Sequence, residues 1–134
     1  MLPVLINDVP VSCINHAAQV YHVPVGVILS VMKAEGGKNG DANRNKNGTV
    51  DYGVLQINSV WLPEISGHGY TKDDLQFNPC RNIEVGVWIL GKSLAEGKSL
   101  WSGIANYHSR TPEHNQRYQK IVYKNYKQLM NVIR

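Results

Sequence analysis

Glu35 and Asp51 are two carboxylates in the stretch KAEGGKNGDANRNKNGTVDYGVLQINSVW, which runs from Lys33 to Trp61. Glu35 follows the apolar run Val25, Val27, Ile28, Leu29, Val31 and Met32, broken only by Gly26 and Ser30. A carboxyl placed where such a run meets polar chain loses hydration, and desolvation disfavours a charged group, which suits Glu35 to general-acid work. Asp51 lies just beyond Asn47-Gly48, the strong local signal for a tight two-residue hairpin, so a return strand can fold it back toward Glu35. A protonated acid beside an ionised carboxylate is the pair that cleaves glycosides: one protonates the leaving oxygen while positive charge grows on the sugar.

The neighbouring residues suit a sugar. Gln56, Asn58 and the Asn43-Arg44-Asn45 group, Asn45 included, supply amide donors and acceptors for hydroxyl and acetamido groups. Trp61, Tyr52 and Tyr107 offer ring faces, and His108 follows Tyr107. The five histidines, His16, His22, His68, His108 and His114, show no zinc-ligand spacing, so no metal is expected, and the chemistry calls for no cofactor.

The elements that must hold these residues are mostly helical. Ser12 can cap a first helix with Ile14, Ala17, Ala18 and Tyr21 on one face, and Pro24 suits the first turn of a second. The second is apolar nearly all round and belongs in the core; Glu35 ends it, and Gly36-Gly37 can supply a left-handed exit. Asn78-Pro79 reads as cap and first turn of a long helix with Ile83, Val87, Leu90 and Leu94 on one stripe, stopping near Gly97. A short helix over Trp101 to Tyr107 precedes Thr111-Pro112 and a last helix showing Tyr118, Val122, Tyr126 and Leu129 on one face. The expected fold is mainly α with one small β-hairpin, a single domain over residues 1–134 without internal repeats.

Composition agrees. A chain of 134 residues with 18% charged and 43% hydrophobic residues is that of one globular domain. The formal charge is +4, and Arg110 to Arg134 carries six Lys or Arg against Glu113 alone, a face that favours polyanions such as nucleic acid, anionic lipid or a carboxylate-bearing cell wall. No nucleic-acid recognition motif accompanies it, so no nucleic-acid partner is expected. There is no apolar run of about 18 residues, and MLPVLINDVP lacks both a basic start and a full apolar core, so neither a membrane span nor an intact signal peptide is expected. Cys13 and Cys80 are the only cysteines, which excludes a Cys-rich zinc site and leaves either one disulfide or two free thiols.

Taken in order, Glu35-Gly36-Gly37, Asn43-Arg44-Asn45, Asn47-Gly48-Thr49 and Asp51-Tyr52-Gly53-Val54-Leu55-Gln56-Ile57-Asn58 resemble the small lytic transglycosylases of lysozyme-like (α+β) fold that accompany bacterial secretion, pilus and conjugation machines, the invasion-protein-like group. That family's pattern is Glu-Ser, then Gly-Leu-Met-Gln-Ile-Asn, then Ala-Tyr-Asn; here it becomes Glu35-Gly36, Gly53 to Asn58, and Ala105-Asn106-Tyr107-His108. Gly36 stands where the family has a Ser whose hydroxyl helps hold the catalytic Glu, His108 stands where it has Asn, and Asn106 is added before Tyr107. The resemblance implies an enzyme acting on peptidoglycan strands as a monomer, periplasmic or secreted, with Glu35 as acid and then base, an anhydro product, and a machine of the secretion, pilus or conjugation kind as possible partner. It also implies a Cys13 to Cys80 disulfide. Asp51 to Ser59 is similar as well to the matching run of animal-type lysozymes, which keeps open a hydrolase using Glu35 and Asp51. A non-catalytic glycan-binding module is the third reading.

Overall fold

The computed structural model describes residues 4–133. It opens with a hairpin that periodicity does not signal: β1 (Leu5–Ile6) pairs antiparallel with β2 (Val9–Pro10) across Asn7 and Asp8. Both turn residues have positive φ, 50° and 65°, the backbone a two-residue primed turn demands and that Asn and Asp tolerate. The first helix, α1 (Val11–Tyr21), then starts two residues earlier than a Ser12 cap would place it. Pro10, extended at ψ 130°, is the N-cap, and Ser12 lies inside the first turn. Pro24 likewise caps α2 (Val25–Glu35) from outside rather than opening it. Glu35 is the last residue of α2, and Gly36, at φ 66°, closes it by donating its N–H to Met32 O.

Next comes a small sheet of three antiparallel strands, β3 (Ala42–Arg44), β4 (Val50–Tyr52) and β5 (Ile57–Asn58), one more than the expected hairpin. Its turn is not the two-residue type. Gly48 N–H donates to Asn45 O at 3.0 Å and Asn45 N–H to Thr49 O at 2.8 Å, so Lys46, Asn47 and Gly48 form a three-residue loop with Gly48 alone left-handed at φ 89°. Thr49 explains the choice, since Asn47 Oδ1 accepts from both its N–H and its hydroxyl and is thereby held in an ordinary turn conformation.

A 3-10 turn (Ser59–Trp61) leads into two helices that periodicity leaves unmarked, α3 (Leu62–Ser66) and α4 (Lys72–Phe77), the latter opened by a Thr71–Asp74 capping box. The long helix α5 (Pro79–Glu96) begins where Asn78-Pro79 predicts, with Asn78 capping Arg81 N–H. The short α6 (Leu100–Asn106) and the terminal α7 (Pro112–Ile133) complete the chain.

Helix α2 packs chiefly against α7, and α5 against α1 and α6. The core they share takes Val27, Ile28 and Val31 from α2, Ile83, Val87 and Leu90 from α5, and Tyr118 and Val122 from α7. Cys13 in α1 is bonded to Cys80 in the first turn of α5, fastening the first helix to the central one. Among the described residues no single helix is long and apolar enough to cross a membrane.

Candidate active site

Between the end of α2, the sheet and α6 lies a cleft of about 260 Å³ whose walls include Glu35, Asn45, Asp51, Gln56, Asn58, Trp61, Tyr107 and His108. Glu35 enters it at a helix end and keeps only 10% of its side chain exposed. Its Oε2 accepts a hydrogen bond from Tyr118 Oη at 2.6 Å, and His108 Nδ1 approaches the same oxygen to 3.7 Å, a distance of ion pairing rather than hydrogen bonding. The imidazole is stacked flat on the Tyr118 ring, centroids 4.5 Å apart, so tyrosine and histidine form one wall behind the carboxyl.

Charge follows from this packing. The polar contact with Glu35, and then the charges of Glu35 and Asp51, raise the His108 pKa against the opposing effect of burial. Burial and the Glu35 charge hold the Tyr118 hydroxyl far above its ordinary range, so it stays a donor. Burial, with Glu35 and Asp51, does the same to Tyr107.

The sheet supplies the second carboxyl. Asp51 pairs in register with Asn58, and Asn58 Nδ2 donates to Asp51 Oδ1 at 3.1 Å and to Thr49 Oγ1 at 3.0 Å, while its own Oδ1 accepts from Val60 N–H. Asn45 also donates to Thr49 Oγ1. Gln56, left-handed at φ 51°, donates to Gly53 O and accepts from Asn43 Nδ2. Asn45, Gln56 and Asn58, expected at a sugar, are thus already at work holding Asp51 and the loop in place while still lining the cleft, whereas Asn43 and Arg44 do not line it.

Two expected site residues are placed differently. Tyr52 is buried at 6% exposure and does not line the cleft: side chains alternate along a strand, so with Asp51 facing the cleft Tyr52 faces the other way, its ring 5.9 Å beneath Lys72 Nζ. Tyr107 lines the cleft with its ring, but its hydroxyl turns inward and donates to Leu55 O at 2.7 Å.

Gly36, in place of the expected Ser, contributes no side chain to Glu35, and Tyr118 supplies the hydroxyl instead. Gly37 behind it is buried where a Cβ would collide with the Gly53 carbonyl, so only glycine lets the end of α2 approach the β4–β5 loop. Asn106 accepts from buried Asn115 Nδ2, which also donates to Ser109 O and so ties the residues after α6 to α7. Tyr118 and buried Asn82 are residues that spacing does not flag as functional. Tyr118 reads as one of an apolar stripe, its signal being only that a buried tyrosine hydroxyl needs a partner. Asn82 interrupts the apolar face of α5 and bonds Tyr52 O, Leu75 O and Leu55 N–H, pinning the loop between Asp51 and Gln56. Among the described residues no cluster of three or more His, Cys, Asp or Glu gathers as for a metal.

Residues 12–131 match the family described as Transglycosylase SLT domain. The chain is also 30% identical, over 124 residues, to a Peptidoglycan-binding-like protein of Escherichia coli O157:H7, covering 84% of this chain and 74% of that protein. Invasion protein IagB of Salmonella typhimurium strain SL1344 is 26% identical over 92% of this chain and 81% of its own length. Protein IpgF of Shigella flexneri is 25% identical over 86% and 79%.

Proposed function

Because the chain belongs to the transglycosylase SLT domain family of peptidoglycan lytic transglycosylases, we propose that Glu35 is its single acid and base and that the product carries a 1,6-anhydro muramyl end. The observation that carries this reading is one carboxyl, nearly buried at the cleft wall, with a tyrosine hydroxyl 2.6 Å from one oxygen. Tyr118 and His108 both approach Oε2, and among the described residues Oε1 accepts no hydrogen bond.

Glu35 gives its proton to the oxygen joining N-acetylmuramic acid to N-acetylglucosamine, the bond from the muramyl anomeric carbon to that oxygen breaks, and the glucosaminyl hydroxyl leaves. Positive charge on the muramyl ring is steadied by Asp51 or by the sugar's own acetamido oxygen. Glu35, now a carboxylate, takes the proton of the muramyl C6 hydroxyl as that oxygen closes on the anomeric carbon. The acid is restored and no water is consumed. Asn45, Gln56, Asn58 and His108 line the cleft and contact the sugar, and Tyr107 holds the loop at Leu55.

A hydrolase is favoured by one observation: Asp51 lines the same cleft and is oriented by Asn58. Digesting purified peptidoglycan and weighing the released muropeptides decides. Ends lighter by one water support the transglycosylase, reducing ends make Asp51 the essential second carboxylate, and no release supports a binding module. Glu35→Gln is expected to lower wall cleavage about 10²- to 10⁴-fold with the melting temperature little changed, the usual worth of a general acid; unchanged cleavage would sink the assignment.

Peptidoglycan lies outside the cytoplasm, and so does the enzyme's work. The Cys13–Cys80 bond supports an oxidising setting such as the periplasm. The likeness to a protein named for invasion supports local wall remodelling around a secretion, pilus or conjugation apparatus. Loss of assembled apparatus in a deletion strain, restored by the native chain and not by Glu35→Gln, tests that role.

A further inference from the structure

A second cleft, of about 310 Å³, is lined by Tyr21, His68, Tyr70, Glu84, Val85 and Trp88, none of which takes part in the chemistry at Glu35. Its polar groups are few and definite. Tyr70 Oη donates to Glu84 Oε2 at 2.6 Å, which leaves the rest of that carboxylate and the exposed His68 imidazole available to hydroxyl or amide groups. The cations nearby are already placed. The Arg81 guanidinium lies 4.9 Å over the Tyr70 ring, and Lys92 Nζ lies 4.3 Å over Trp88 and 3.4 Å from Glu64. Aromatic walls, a few hydrogen-bonding groups and balanced charge suit an uncharged, hydroxyl-bearing ring better than an ion or a purely apolar group.

Its position says which ring. Trp61 lines the Glu35 cleft and Trp88 lines this one, and the two indoles touch edge to face with centroids 5.7 Å apart. Lys92 Nζ lies over both, 5.6 Å from the Trp61 centroid, so the boundary between the clefts is a pair of aromatic rings with one ammonium above them. A strand leaving the Glu35 cleft across Trp61 meets Trp88 next.

Resting on the glycan reading of the Glu35 cleft, we infer that the Trp88 cleft is an outlying subsite for a further pyranose ring of the same strand. The enzyme then reads a longer stretch of polymer than the two rings at the cleaved bond.

The test uses the full chain carrying Glu35→Gln, so that nothing is cut, and β-1,4-linked N-acetylglucosamine oligomers of increasing length. Affinity is expected to rise again once an oligomer is long enough to pass Trp61, and the Trp88 indole N–H resonance to shift with those long oligomers and not with short ones. Trp88→Leu is expected to weaken long oligomers about tenfold and leave short ones unchanged. Trp88 is half-buried, so His68→Ala, at an exposed position, serves as the second variant and is expected to weaken long oligomers in the same sense. An affinity that stays flat with length, or a Trp88 resonance indifferent to long oligomers that do bind, overturns the outlying subsite and leaves the Glu35 cleft as read. Failure of every oligomer to bind overturns both.

Discussion

Tyr118 is to Glu35 what a helper hydroxyl on the neighbouring residue would otherwise be, reached from the far end of the chain. Its hydrogen bond becomes charge-assisted once Glu35 has given up its proton, and such a bond is worth about 1.5–3 kcal/mol, so Tyr118→Phe is expected to lower kcat roughly ten- to a hundredfold with KM little moved, measured on a soluble glycan strand. A change confined to KM would show that Tyr118 acts on binding instead. His108 adds a dependence on pH. Its pKa is raised in the folded chain, so the folded state holds the proton over a range where the unfolded state has lost it, and the contribution of this contact falls as pH rises. Relative to His108→Asn, the native chain is expected to gain most stability below about pH 6.5 and to lose that gain as pH climbs through the raised value, followed by urea unfolding at several pH values. A gain that grew with pH would contradict the pairing with Glu35. At this scale Glu35 was legible because its signal is local: a carboxyl closing an apolar helix. Its partner was not, because Tyr118 lies 83 residues on and looks like any other member of a buried stripe.

Helices α2, α5 and α7 were legible from period and punctuation together, since Pro24, Gly36, Asn78-Pro79 and Pro112 bracket runs whose apolar positions recur at helical spacing. The sheet was only partly so. Asn47-Gly48 announces a turn without deciding between two and three loop residues, a choice made by the Asn47 bonds to Thr49. Strand β5, of two residues, is too short to show any period, and α3 and α4 are a turn or so each. What holds this region is Asn82, whose side chain satisfies three backbone groups of buried chain reaching from Tyr52 to Leu75. Asn82→Ala leaves those groups unpaired in a dry interior at about 1–3 kcal/mol apiece, less what relaxation recovers. The expected outcome is a loss of several kcal/mol in denaturant unfolding, with activity falling even below the transition because Asp51 and Gln56 lose their frame. Full activity in a destabilised Asn82→Ala chain would mean that the loop does not depend on α5.

At the scale of the whole molecule, the Cys13–Cys80 bond closes a loop with a sequence separation of 67 residues. On the chain-entropy account such a loop is worth about 4 kcal/mol, so Cys13→Ser with Cys80→Ser is expected to lower unfolding stability by roughly that amount, with the cleft chemistry intact in the fraction that folds. An unchanged stability would show that the reduced unfolded chain is already as confined as the bridged one. The mainly helical class was legible from periodicity, and the lysozyme-like fold from the resemblance that the ordered Glu35-to-Asn58 motifs carry, whereas the pairing of the cysteines came from resemblance alone, spacing being compatible with free thiols. The same loop encloses Glu35 and Asp51 but not α7, which brings Tyr118. A chain folded only as far as α6 therefore holds both carboxylates and both cysteines while its acid still lacks the hydroxyl partner. The site is thus finished from the far end of the chain, and a chain without α7 is expected to join its cysteines yet fall short of full wall cleavage. Wall cleavage by a chain ending before Pro112 as fast as by the full chain would show that the acid does not need α7.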